Sequence, residues 1–249
     1  MKEFKDIYYI EDNNPSHTLD IYLPESDSFK VFLYFHGGGL EAGKKSAALR
    51  FAEGLVNNNI AVVSAEYRMY PYAGYPDFIK DAAAAVSWVF KNMGNYGNIE
   101  GIYVGGSSAG GYISQMLCFD KKYLAPFGLT PMDINGFIHD AGQPTTHFNV
   151  LRERGIDSRR VIIDEAAPIY HIGKDKEYPP MLLYVSDNDM PGRLEQTHLL
   201  MATLKHFEYD LSKVQLSFME NSRHCSYLKP LETGENLFVN ITSEFIKNN

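Results

Sequence analysis

The chain has 249 residues, 45% of them hydrophobic and 22% charged, which suits one α/β domain with a sizeable core. A formal net charge of −8, with no Lys/Arg-rich run, argues against nucleic acid and anionic membrane surfaces as partners. No apolar stretch approaches the ~18 residues of a membrane-spanning helix. Residues 1–6 lack the apolar core and cleavage site of a secretory leader, and Cys118 and Cys225 form neither a disulfide framework nor a metal cluster. The expectation is a cytoplasmic protein with reduced thiols, no metal and no cofactor, its oligomeric state left open.

Residues 4–10 and 17–23 alternate around the turn-forming Asn13-Asn14-Pro15 and predict an N-terminal hairpin. The apolar run 30–35 predicts a strand covered on both faces. It ends at His36-Gly37-Gly38-Gly39. Ala47, Ala48, Phe51, Leu55 and Val56 have helical spacing and predict one helix over 44–57, followed by a buried strand over 60–65. Pro76 opens a long helix through Ala82, Ala85, Val86, Trp88 and Val89 that ends near Gly94.

A central strand over 101–104 runs into Gly105-Gly106-Ser107-Ser108-Ala109-Gly110-Gly111 and a helix over 112–117. Residues 134–138 predict another strand. Residues 140–175 are rich in Arg, Asp and Glu and weakly periodic. They read as an inserted lid of short helices, too short for a core of its own, within a single domain. A strand at 181–185, a helix at 191–207, a strand at 214–219 and a helix over most of 228–248 complete the chain. This alternation predicts an α/β fold with a mainly parallel sheet and right-handed crossovers. Ligands bind such sheets beyond the carboxyl ends of the strands, so the polar residues found there are the candidates.

Gly106-x-Ser108-x-Gly110 sits between strand and helix and fits a nucleophile elbow, with glycines that let strand and helix pass closely. At average glycine usage the pattern alone arises by chance in about one such chain in ten. Other strand ends carry His36-Gly37-Gly38-Gly39, then Ser186-Asp187-Asn188-Asp189, then Glu220-Asn221-Ser222-Arg223-His224. Serine, acid and histidine thus follow in the order of an α/β-hydrolase. Ser107 is a poorer nucleophile candidate because Ala109 stands where the second glycine is needed, and Cys225 has no elbow around it.

With these residues in hand, the chain resembles α/β-hydrolase carboxylesterases close to the hormone-sensitive-lipase-like and acetyl-esterase-type enzymes. The likeness rests on His36-Gly37-Gly38-Gly39, on 65–71, on Tyr75-Pro76 with Asp81, Ala85 and Trp88, on the elbow and on His224. It covers most of the chain. It departs in having Ser107 where many members carry Asp, in Leu40-Glu41 after the glycines in place of an aromatic, and in an N-terminal region short for a helical cap.

The resemblance implies Ser108 as nucleophile, His224 as base and Asp189 as acid, with Asp187 and Asp140 as other candidates for the acid. It implies an oxyanion hole from the N–H groups of Gly38, Gly39 and Ala109, with His36 bracing the loop. Leu40, Glu41, Tyr72 and His147 are expected to line a substrate pocket under the lid. By analogy, the partner is a small soluble ester of short-acyl, acetylated-sugar or hydroxycinnamoyl type. An amidase or peptidase with the same triad, or a non-catalytic binding protein, are the alternatives.

Overall fold

A single eight-stranded sheet organises the computed structural model, which describes residues 1–175 and 177–249. Its strands are β1 (Lys2–Tyr8), β2 (Thr18–Leu23), β3 (Ser28–Phe35), β4 (Ile60–Ala65), β5 (Asn98–Ser107), β6 (Gly136–Asp140), β7 (Met181–Asn188) and β8 (Val214–Arg223). Their spatial order is β1-β2-β4-β3-β5-β6-β7-β8. The first two pairings, β1 with β2 and β2 with β4, are antiparallel, and the rest are parallel. The helices are α1 (Ala52–Asn57), α2 (Asp77–Asn92), α3 (Ala109–Phe119), α4 (Phe148–Glu153), α5 (Arg193–His206) and α6 (Leu237–Asn248).

The period-2 alternation of β3 explains the layering. Val31, Leu33 and Phe35 face one apolar cluster, which contains residues of α2, α3 and α5. Phe32 and Tyr34 face the other, with Phe51, Leu55, Phe238 and Ile246 from the region of α1 and α6. Both faces are covered, which is why β3 reads as a continuous apolar run.

Several elements differ from the sequence reading. The helix expected over 44–57 is split into a 3-10 segment, Lys45–Arg50, and α1. The Ser64 hydroxyl donates to the Lys45 carbonyl at 2.8 Å and the Lys45 N–H donates to Glu66 at 2.8 Å, so side chains take backbone groups near the start of this stretch. The last helix begins at Leu237, after a stretch containing Pro230 and the positive-φ Gly234. The Asn236 side chain caps it by accepting from Val239 N–H at 3.1 Å. Strands β5 and β8 are longer than read, and β8 runs directly up to His224.

Register fixes the working edge. Phe35 pairs with Gly106, Ser107 with Asp140, and Asp140 with Tyr184. His36, Ser108 and residues 186–189 therefore emerge from the same edge of the sheet. The approach is tight at the elbow, where a Cβ on Gly110 would lie 1.9 Å from the Phe35 carbonyl oxygen. Gly110→Ala must push β3 and α3 apart. It is expected to cost at least the ~1–3 kcal/mol of overpacking, read as a lower denaturant midpoint at unchanged m-value.

Candidate active site

Ser108 sits at φ 54° and ψ −110°, a strained conformation for a residue with a side chain. The strain is held by its neighbours. The Ser108 N–H donates to the Asp140 carbonyl at 2.7 Å, and the Ser108 carbonyl accepts from Tyr112 N–H at 2.9 Å. This aims Oγ off the sheet edge, 2.8 Å from His224 Nε2. On the far side of the ring, His224 Nδ1 lies 2.5 Å from Asp189 Oδ1.

Asp189 is itself fixed. Its carboxylate accepts from the Met190 N–H at 2.7 Å and the Ser186 hydroxyl at 3.0 Å. Burial pushes its pKa up, but the hydrogen bond and charge of His224, with the Met190 and Ser186 donors, hold it below the usual carboxylate range. An ionised acid beside Nδ1 keeps the proton there and leaves Nε2 to face Ser108 as an acceptor.

The other two acids have different partners. Asp187 is exposed, and its oxygens accept from the Asn221 N–H at 2.8 Å and the Ser222 N–H at 3.1 Å. It ties the end of β7 to the end of β8. These backbone donors, that of Asn221 foremost, hold its pKa low. Asp140 is buried and accepts from the Tyr227 hydroxyl. Burial pushes its pKa up to about 6. Of the three, Asp189 is the acid that reaches the His224 ring.

Gly37-Gly38-Gly39 runs beside the nucleophile: a Cβ on Gly37 would lie 3.2 Å from Ser108 Cβ. Gly38 has φ +123° and Gly39 φ +67°, and the Gly38 carbonyl accepts from the N–H groups of Glu41 and Ala42 in a tight turn. Ala109 opens α3, where a backbone N–H has no intrahelical acceptor. His36 is buried. Its Nδ1 donates to the Gly37 carbonyl at 2.8 Å, its Nε2 lies 3.0 Å from the Glu66 carboxyl group, and its ring stacks on Tyr67. It is placed as a brace for the glycine loop.

Ser107 is buried at the end of β5, and it is the Ser108 Oγ that meets His224. Burial raises the Cys225 thiol well above its ordinary pKa, the wrong direction for a nucleophile.

A cavity of about 780 Å³ lies beside the glycine loop, lined by Glu41, Tyr70, Tyr72, Asn149, Arg152 and Glu153 among others. Tyr72 stands at its rim, 93% exposed. Two residues expected on the wall are not there. Leu40 turns its side chain into the hydrophobic core, at φ +67°, where an apolar group gains most from burial. His147 is buried as the N-cap of α4, packed against the rings of Tyr112 and Phe148, with Nδ1 accepting from Asn149 N–H at 3.2 Å. Their places on the wall are taken by Asn149, Arg152 and Glu153, which the sequence reading did not single out. A smaller cavity of about 530 Å³ touches Asp189, Met190, Arg223 and His224. Among the described residues no His/Cys/Asp/Glu group has the arrangement of a metal site, and no helix is long and apolar enough to cross a membrane.

The profile of the prolyl oligopeptidase family matches residues 76–237, which span the elbow, all three candidate acids and His224. The chain belongs to this family. A second profile, BD-FAE, matches residues 19–125. Relatives of this chain include a probable isoprenylcysteine alpha-carbonyl methylesterase of Arabidopsis thaliana. It is 32% identical over 43% of this chain and 26% of its own length. Carboxylesterase NlhH of Mycobacterium tuberculosis is 38% identical over 36% of this chain and 29% of its own. The matched stretches thus span under a third of these relatives. A truncated carbohydrate esterase from gut microbiota superposes over 100% of this chain and 96% of its own, with a TM-score of 0.80 at 18% identity. The fold is that of an α/β-hydrolase.

If Asp187 anchors the end of β8, Asp187→Ala is expected to speed hydrogen exchange at the Asn221 and Ser222 amides while sparing those of β7. Unchanged exchange there would remove the anchoring role.

Proposed function

We propose that this protein is a serine carboxylesterase for small esters, working through an acyl-enzyme on Ser108. The observation that carries this reading is the unbroken chain Ser108 Oγ, His224, Asp189 beside a positive-φ glycine loop. Ser108 Oγ attacks the ester carbonyl carbon while His224 Nε2 takes its proton. The carbonyl electron pair moves onto oxygen, and the N–H groups of Gly38, Gly39 and Ala109 are the donors for that oxyanion. Collapse breaks the bond to the alcohol, which leaves with the proton from His224. Water then adds to the acyl group, giving its proton to His224, and the second collapse frees the acid and restores Ser108. Asp189 orients the ring and stabilises the imidazolium in both halves.

Carboxylates of Glu41, Asp77 and Glu153 outnumber Arg152 around the larger cavity, and Tyr70 and Tyr72 add aromatic surface. That lining favours neutral esters over substrates with free acid groups, with hydroxyl or aryl groups to meet it. Short-acyl, acetylated-sugar and hydroxycinnamoyl esters are the proposed classes. The esterase names of the relatives and of the structural neighbour support an ester bond. The name of the family favours an amide or peptide bond as the second reading.

Three measurements test this. A fluorophosphonate should label the wild type and not Ser108→Ala; a wild type that resists labelling would sink the catalytic reading and leave a binding protein. p-Nitrophenyl acetate should be cleaved faster than p-nitroanilides, and the reverse order would favour the peptidase. Asp189→Asn should lower kcat by about 10⁴, as loss of the orienting acid does, while Asp187→Asn loses far less.

A further inference from the structure

Three side chains from a single turn of α4 hold the loop that follows β3. The Phe148 ring lies against Gly39, where a Cβ would come within 3.3 Å of Phe148 Cζ. Asn149 Nδ2 donates to the Gly39 carbonyl, from 110 residues further along the chain. Arg152 pairs with Glu41 two residues on. The loop needs such support. It contains three successive glycines, the residue type that loses most conformational freedom on being fixed.

Asn149 is the buried member of this set, 1% exposed. Its amide orientation is decided by chemistry, since the oxygen turned toward a carbonyl would repel it. In the orientation found, Oδ1 is left buried with no partner among the described residues. An orphaned buried acceptor is costly, and a leucine of similar size would fill the same space without that cost. A residue kept only for packing has no use for the amide. Among the described residues, the one hydrogen bond of this amide falls on the carbonyl of Gly39, whose own N–H is one of the proposed oxyanion donors.

We propose that Asn149 is a positioning residue for hydrolysis, holding the Gly39 carbonyl so that the Gly38 and Gly39 N–H groups stay aimed at the developing oxyanion. This rests on the serine-esterase reading above. It makes the segment between β6 and β7 part of the rate machinery as well as the wall of the cavity. Asn149 touches no substrate in this scheme and acts through the loop.

The test compares wild type, Asn149→Leu and Asn149→Ala with p-nitrophenyl acetate as substrate and phenylboronic acid as inhibitor. Ser108 Oγ adds to the boron while its proton passes to His224, giving a tetrahedral anion that uses the oxyanion donors; the planar ester in its ground state uses them less. We expect kcat to fall about ten- to a hundredfold, less than the roughly 10²–10³ for outright loss of a donor. KM should change little. The inhibition constant of phenylboronic acid should rise by the factor that kcat/KM falls, and Asn149→Leu should melt near the wild-type temperature. A folded Asn149→Leu with unchanged kcat and boronate affinity overturns the proposal. So does a rise in KM alone, which would make Asn149 a substrate contact. Failure of both variants to fold would make the residue structural and overturn it too. A wild type without turnover would instead sink the esterase reading, so the two failures are told apart.

Discussion

The carbonyl of Phe35 and the backbone of Gly110 pass so closely that no side chain fits between them. This contact locks the end of β3 to the start of α3, and the site is assembled around it. It brings the glycine loop beside Ser108, and it leaves the turn before α3 so short that Ser108 must adopt a positive φ. The cost of that conformation is met by hydrogen bonds from β6 and from the first turn of α3. The proposed nucleophile and the proposed oxyanion donors are therefore positioned by the rigid centre of the sheet, where sub-ångström shifts are resisted by close packing.

The histidine arm is built differently. His224 follows a sheet-edge strand, β8, which pairs along one side with β7. It is kept in place by two aspartates from one short turn. Asp189 holds the ring and Asp187 holds the backbone just before it. Both are held below the ordinary carboxylate range. The geometry of this arm thus depends on two negative charges, whereas the serine arm depends on packing.

The parts legible in the sequence were those where one residue type is dictated by local backbone. Gly106, Ser108 and Gly110 declare an elbow because glycine is needed where backbones approach. The apolar runs of β3 and β4 declare buried strands, and chain order alone brings Ser108, an acid and His224 to one edge. What escaped was decided by distant partners. Leu40 reads as a wall residue by its place after the glycines, yet the core claims its side chain. His147 reads as a site histidine, yet its ring caps α4 and stacks on Phe148. Asn149 and Arg152 carry no local mark, because their partners at Gly39 and Glu41 lie more than a hundred residues away. The helix over 44–57 failed for a related reason: Ser64 and Glu66 take hydrogen bonds that its apolar spacing does not reveal.

Asp140 joins the two arms, its main chain to one and its side chain to the other. The carbonyl that receives the Ser108 N–H belongs to the backbone and survives any substitution at this position. The carboxyl group, bound to Tyr227 three residues after the histidine, does not. Replacing this residue therefore cuts one half of a bridge and leaves the other standing. The same residue thus reaches the elbow through its main chain and the histidine side of the site through its side chain.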